Sequence, residues 1–465
     1  MKIVSPHNPG NIFHFLLPVF ILGMFSSCTL ESHDTKTKQK ILKEELRERG
    51  EVVVLTRNAP TTYYSRSQGK AGMEYDMVNA FAAHLGITPR FKVFANTAEL
   101  FRALEQGEGD FIAAGVTITP ERQDQYRFGP PYQHIQQEVV CHRQSNLPRT
   151  PAELSRVNIV IASSSSYEDR LNELRNVQTE LQWVANDQLS TEEIFHKVAK
   201  REFDCTIADS HIVAINQRFF PNLVVAMPVS EEQQLAWLLP RDAEGLNGLI
   251  ETWFATMKEA RFFENVHHRY YAHIDVFDYV DTKRFYRHSR NRLPRYETVF
   301  QQAAETHNLP WTLLAAQGYQ ESHWNPKAKS PTGVRGIMML TRNTAAELGI
   351  RNRLNPTKSI RGGARYLNQM KTRLPEDIQE PDRTWFALAA YNVGFGHLRD
   401  AMNLARQLEK DPYTWKNLKT VLPLLSRKTY YQHLPHGYAR GTEPVRYVDR
   451  VRHYQDMLER QEREI

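Results

Sequence analysis

The feature that most limits how this chain can fold is a change of hydrophobic period near residue 270. Before it, short apolar runs alternate with stretches of helical spacing; after it only helical spacing remains. Residues 51–56 form a β-rich run bounded by turn residues, a buried strand. Residues 75–85 carry Met77, Val78, Phe81 and Leu85 at helical spacing and stop at Gly86. Residues 91–94 read as a strand, 97–106 as a helix with Thr97 as cap and Gly107 as stop, and 110–115 as another apolar strand. The rhythm returns at 158–162, then in a serine loop (163–166) with a helix after it, and again at 192–200, 203–208 and 235–239. Such alternation predicts open α/β sheets.

The second half is different. Tyr296, Phe300, Ala303 and Ala304 share one helix face, and Ile360, Ala364, Leu367, Met370 and Leu374 share another. Gly362 and Gly363 permit a neighbour to approach that second helix closely. Trp385-Phe-Ala-Leu-Ala-Ala390 is apolar all round, so its helix belongs at the centre. A last helix over 445–460 turns Val448, Val451 and Leu458 inward. The chain of 465 residues therefore reads as two domains. Residues 48–270 form the α/β domain, and 271–465 form an all-α domain that includes an aromatic and basic linker over 270–294.

The N-terminus carries a location signal. Lys2 precedes an apolar run from Ile12 to Phe25, broken by His14 and Pro18, and then Ser26-Ser27-Cys28. This is too short for a good membrane span and fits an export signal over 1–28, followed by a polar tether over 29–47. Phe25-Ser-Ser-Cys28 resembles the bacterial lipoprotein processing box, with Phe where Leu is usual, which implies a lipid anchor at Cys28. In an oxidising envelope Cys141 and Cys205 either pair or stay free and buried; spacing does not choose. The net charge of +6 suits an anionic partner such as a wall polymer or a lipid surface. The charge is scattered and no nucleic-acid motif accompanies it, so nucleic acid is not an expected partner.

The chemistry points to Glu321. A helix over 311–321 starts beside Pro310 and carries Leu314, Gln317 and Glu321 at i, i+3 and i+7, on one face. Burial and the negative end of the helix dipole both push such a carboxyl toward its neutral form. A carboxylic acid kept protonated near neutral pH is what general-acid cleavage of a glycosidic bond requires. The plainer reading is a surface glutamate at an ordinary helix end.

Two resemblances extend these readings. Gly72-Met-Glu-Tyr-Asp76, Leu104-Glu-Gln-Gly107, Gly115-Val-Thr-Ile-Thr-Pro-Glu-Arg122, Phe128-Gly-Pro-Pro-Tyr132 and the run from Asp204 to Asp209 resemble the extracellular solute-binding proteins of the amino-acid type. That resemblance implies two α/β lobes closing on a ligand, with Arg122 gripping its carboxylate and Asp209 its amino group. The serine loop opens a helix and is a weaker anion candidate. A lobe pair that has lost its ligand would serve as a scaffold instead.

Over roughly 290–460, Glu321-Ser322, Gly336-Ile-Met-Met-Leu-Thr341 with Asn343-Thr-Ala345, Ala390-Tyr-Asn-Val-Gly394 and Glu443-Pro-Val-Arg-Tyr447-Val resemble the four motifs of the soluble-lytic-transglycosylase family of lysozyme-like enzymes. With the solute-binding lobes, the layout looks like the membrane-bound lytic transglycosylase F type. This implies anhydro cleavage of peptidoglycan strands on the periplasmic side of the outer membrane. Glu321 would be acid and then base, with Tyr447 orienting it. Ser330, Thr332, Met339, Tyr391 and Asn392 would contact the glycan. Met339 stands where many members have Gln, which removes one hydrogen bond to sugar. No cofactor and no metal is implied; the implied partners are glycan strands, the inner face of the outer membrane, and an amino acid or wall peptide for the lobes. Two alternatives stay open: a goose-type hydrolytic lysozyme, and a sensor that binds solute or glycan without cutting.

Overall fold

The computed structural model describes residues 26–66, 69–272, 279–330 and 333–463. The apolar core of the expected export signal and the candidate Thr332 lie outside them, as does the side chain of Cys28. The chain enters through α1 (Ser26–Arg49), so the stretch expected as a polar tether is helical. Its Lys, Glu, Gln and Leu content explains this, since these residues lose little rotamer freedom in a helix.

The first lobe is built on β1 (Glu51–Arg57), whose interior residues are all buried, as a central parallel strand with both faces covered requires. The hairpin β2–β3 (Tyr64–Arg66, Gly69–Ala71) follows, then α2 (Met73–Leu85), β4 (Thr88–Phe94), α3 (Thr97–Glu105) and β5 (Phe111–Thr117). The short α4 (Pro120–Gln125), β6 (Arg127–Phe128) and β7 (Gln133–Ile135) lead out of it. The cap of α3 is Asn96, not Thr97. Asn96 keeps the extended backbone of a cap and accepts from the Glu99 N–H at 2.8 Å, while Thr97 is already helical.

The second lobe holds β8 (Gln137–His142), β9 (Val160–Ala162), α5 (Ser166–Arg175), β10 (Val184–Asn186), α6 (Thr191–Ala199), β11 (Cys205–Asp209), α7 (Ser210–Gln217) and β12 (Leu223–Pro228). Strand β8 lies antiparallel between β11 and β12, and β9 pairs with β10 in parallel. Cys141 and Cys205 face each other in the β8–β11 register and are joined as a disulfide. The chain then returns as β13 (Gln233–Leu239), giving the first lobe the order β4-β1-β5-β13-β6. Helices α8 (Glu244–Glu259) and α9 (Phe262–Tyr271) close that lobe. Helix α1 lies close along α8 because of two glycines. A Cβ on Gly248 would fall 1.9 Å from Gln39, and one on Gly245 would fall 3.3 Å from Leu42.

The remainder is helical: α10 (Tyr279–Asn291), α11 (Glu297–Thr306), α12 (Trp311–Ser322), α13 (Arg342–Glu347), α14 (Pro356–Thr372), α15 (Asp382–Val393), α16 (Phe395–Gln407), α17 (Trp415–Val421), α18 (Lys428–Tyr431) and α19 (Thr442–Arg463). Most of the expected linker is α10, and it belongs to this domain's core. Phe285 is fully buried, stacked on Tyr454 and edge-on to Tyr319. Residues 385–390 of α15 are buried all round, as their apolar run requires. Gly363 of α14 is needed for packing, because a Cβ there would lie 2.7 Å from Met338.

One contact between the two domains lies at the end of α7. Ile215 and Phe219 join the helical core, Arg218 pairs with Asp456 of α19 at 2.7 Å, and the Arg460 guanidinium sits 4.4 Å over the Phe219 ring. Both members of that ion pair are nearly buried.

Candidate active site

Helix α12 is buried from Thr312 to Tyr319 and then reverses sharply. His323 and Trp324 both take left-handed backbone, at φ 52° and 55°. Such conformations are costly for residues other than glycine and persist only where neighbours enforce them. Here the neighbour is the helix itself, since the buried Trp324 indole donates to the Ala315 carbonyl at 2.7 Å. The reversal leaves Glu321 and Ser322 in the last turn of the helix. The Ser322 hydroxyl lies 2.8 Å from the Ile337 carbonyl and accepts from the Asn325 N–H, tying this turn to the 336–341 motif. Gly336 in that motif has φ 86°, and a Cβ there would collide with the Arg353 carbonyl at 1.9 Å.

The half-buried Glu321 meets two tyrosines from other helices. Tyr447, near the start of α19, donates to its carboxylate at 2.6 Å, and Gln317, one turn back on α12, donates to the Tyr447 oxygen at 3.2 Å. Tyr391, near the end of α15, donates to the Met338 carbonyl at 2.9 Å. The Glu321 charge acts on both tyrosine hydroxyls, which burial and that charge hold well above the usual tyrosine range. Burial pushes the Glu321 carboxyl up to about 8, and the Tyr447 hydrogen bond opposes this. No second carboxylate among the described residues perturbs it. The site therefore offers one neutral carboxylic acid at pH 7, able to give a proton and take it back.

The other expected contacts are placed less tightly. Ser330 serves a turn: its hydroxyl accepts from the Val334 N–H at 3.3 Å, and its carbonyl accepts from Gly333. Met339 is half-buried with φ 46°, and Asn392 is exposed. Gln317 and Ser322 acquire bonding roles that sequence reasoning did not give them. Gln317 sits on the same helix face as Glu321, which was the available signal.

In the α/β domain, Arg122 and Asp209 come together with Arg57 at the end of β1, lining a cavity of about 40 Å3 between the lobes. Arg122 bridges them, donating to the Thr117 carbonyl at 3.1 Å and across to the Ser164 carbonyl at 3.3 Å. Burial lowers its pKa, while Asp169 and Asp209 raise it. Asp209 occupies the cap position of α7 but makes no capping bond, and its buried Oδ1 has no partner. Burial pushes this carboxyl up to about 7, against the charges of Arg57 and Arg122. Two amides of the serine loop are already engaged: the Ser163 N–H donates to the Asn186 carbonyl at the end of β10 and the Ser164 N–H to the Glu168 carboxylate of α5.

Residues 51–273 match the family model for bacterial extracellular solute-binding proteins, family 3, and residues 298–414 match that for the transglycosylase SLT domain. The chain is 44% identical over 419 residues to membrane-bound lytic murein transglycosylase F 1 of Alkalilimnicola ehrlichii, covering 90% of this chain and 85% of that one. It is 43% identical over 445 residues to membrane-bound lytic murein transglycosylase F 2 of the same organism, covering 95% and 98%. It is also similar, at 21% identity and a TM-score of 0.42, to holo ArgBP from T. maritima, over 46% of this chain and 93% of that one.

Proposed function

Since the chain belongs to the membrane-bound lytic murein transglycosylase F family, it is a peptidoglycan lytic transglycosylase, and we propose that Glu321 is the one group that moves protons in its reaction. The bond cut is the β-1,4 link between N-acetylmuramic acid and N-acetylglucosamine. Glu321, neutral at pH 7 because burial holds it at about 8, gives its proton to the leaving oxygen as the bond to the anomeric carbon breaks. The muramoyl C6 hydroxyl then adds to that carbon, and its proton returns to Glu321. The acid is regenerated, no water is consumed, and the strand ends in a 1,6-anhydro ring. The neighbouring N-acetyl group steadies the oxocarbenium-like state. Tyr447 orients the acid, and Ser330, Thr332, Met339, Tyr391 and Asn392 contact the sugars.

The observation that supports this reading is that, among the described residues, no second carboxylate shifts the Glu321 acid. Water-using inverting enzymes need a second acid across the bond, and most retaining enzymes need one as nucleophile. Mass spectrometry of digested wall tests it: anhydro ends are one water lighter than reducing ends. Reducing ends would make the enzyme a hydrolase.

The lobe pair reads as a ligand-operated regulator. Arg122 and Asp209 suit the carboxylate and amino group of an amino acid or wall peptide, and the unpartnered Asp209 oxygen supports a cationic occupant. The cavity has room for only a few waters, so the lobes part to admit a ligand. A route to the active site exists in the fold. Asp209 begins α7, Arg218 at its end pairs with Asp456 of α19, and α19 carries Tyr447. The relatives' names give a membrane-bound enzyme, and we read the stretch leading up to Cys28 as the export signal, with Cys28 retained as lipid anchor on the outer membrane's inner face. Loss of palmitate labelling in Cys28→Ser is the expected result.

A further inference from the structure

A groove of about 1000 Å3 runs between the second lobe and α10, and none of the residues placed around Glu321 lines it. One wall is α10, where Lys283, Arg287 and Arg290 recur at helical spacing with Arg284 beside them; the other carries Arg143, just beyond β8. All five side chains are exposed at the groove, and no carboxylate is among its lining residues. Phe219 and Tyr286 supply apolar surface between the basic walls. The field is positive on both sides. His142 is lowered by burial and then by Arg201 and Arg143, and His288 by burial and then by Arg292, His323, Arg287 and Arg284. Asp281 lies 3.5 Å from Arg284 at one edge of this wall.

The groove is joined to the catalytic helix. Just past α10, Arg292 donates to the His323 carbonyl at 2.9 Å, and His323 caps α12 two residues after Glu321. We propose that this basic groove is a secondary substrate site that holds the carboxylate-bearing peptide stems of the glycan strand being cut. The inference rests on the peptidoglycan reading above and adds a determinant outside the sugar contacts. A concave channel between two domains suits a chain carrying regularly spaced anions, whereas a bilayer is flat and calls for an outward patch. Exposed charge contacts are individually weak, so the groove acts through their number and is screened by salt.

The test uses the full chain on two substrates, glycan strands bearing peptide stems and the same strands stripped by an amidase. Wild type is expected to show a KM lower by roughly fivefold or more on the peptide-bearing strands, a preference that fades with added salt. In Arg287→Gln/Arg290→Gln that KM ratio rises toward one while kcat on peptide-bearing strands stays near wild type. Salt dependence in wild type gives the answer even if the double variant folds poorly. Wild type that cuts both substrates without preference overturns the groove proposal and leaves the lyase reading standing; wild type that cuts neither removes the lyase reading itself. Loss of binding to phosphatidylglycerol vesicles in the variant, with no change in strand preference, reassigns the groove to a lipid surface and also overturns the proposal.

Discussion

The Tyr447 hydroxyl donates to the Glu321 carboxylate at 2.6 Å while accepting from the Gln317 side chain at 3.2 Å. The donor from Gln317 occupies the phenol oxygen, so the phenolic proton is directed at Glu321. Tyr447 thus favours the anion and burial favours the acid, and the balance falls at about 8.

Replacing Tyr447 with Phe removes the term that favours the anion, so the Glu321 pKa rises further. In the proposed mechanism Glu321 starts the reaction protonated, so the high-pH limb of kcat/KM, expected near 8 in wild type, moves upward. The rate falls as well, by roughly 10- to 100-fold, because the carboxyl loses its orienting partner and Gln317 its acceptor. A pH–rate profile of both proteins measures this. An unmoved limb with lowered kcat would show that Tyr447 acts on geometry alone.

Glu321→Gln abolishes cleavage and changes how stability depends on pH. The folded-state pKa of about 8 lies above the unfolded value of about 4.3, so the folded protein holds a proton that the unfolded chain releases between those values. Wild-type stability contributed by this group is present below about 4.3, declines as pH rises, and is gone above 8. The variant lacks that decline. Its Tm is expected to match wild type near pH 4 and exceed it by a few degrees at pH 8. Parallel melting curves across this range would contradict the buried-acid account.

The burial-raised pKa of Glu321 is legible because Leu314, Gln317 and Glu321 share a helix face, a property of local spacing. The alternating β and α rhythm showed the lobes for the same reason, and the uniformly apolar 385–390 run marked the central helix. What depends on distant partners was not legible. Arg57 joins Arg122 and Asp209 only when β1 and β11 are brought together across the lobes. Cys141 and Cys205 pair because β8 and β11 align in register. Helix α1 has no apolar stripe wide enough to announce itself; two glycines on α8 make its berth. Spacing does not separate Asn96 from Thr97 as the cap of α3, because either residue can cap and backbone conformation alone decides.

The lobes are expected to bind an amino acid or wall peptide in a pH-dependent way. Burial holds Asp209 at about 7 without ligand, so below that pH it carries a proton and loses its attraction for an ammonium group. Affinity therefore rises as pH increases through 7 and then levels. Titration calorimetry or ligand-induced Tm shifts on the full chain, from pH 5.5 to 8.5, follow this. Asp209→Asn removes the pH dependence and weakens binding by at least tenfold. Binding that is flat across pH 7 would exclude Asp209 as the ammonium partner.

Arg218 and Asp456 provide the test of whether the lobes and the active site communicate. Their 2.7 Å pair is nearly buried where α7 meets α19, between the domain that carries Asp209 and the helix that carries Tyr447. Removing one partner leaves the other charge without its mate, at a cost of about 3–5 kcal/mol in a buried setting. Because the pair lies at an interface and not within either core, Arg218→Ala is expected to separate melting into two transitions while each domain remains folded. Ligand then still raises the Tm of the α/β domain, since Arg57, Arg122 and Asp209 are untouched, but no longer changes the rate of strand cleavage. A variant that keeps the same ligand response in its cleavage rate would place the coupling elsewhere, in the Lys416–Glu264 contact or the Lys419–Ala272 bond between the same two domains. The double variant Arg218→Ala/Asp456→Ala separates the causes: it restores stability if an orphaned charge was responsible, without restoring the response.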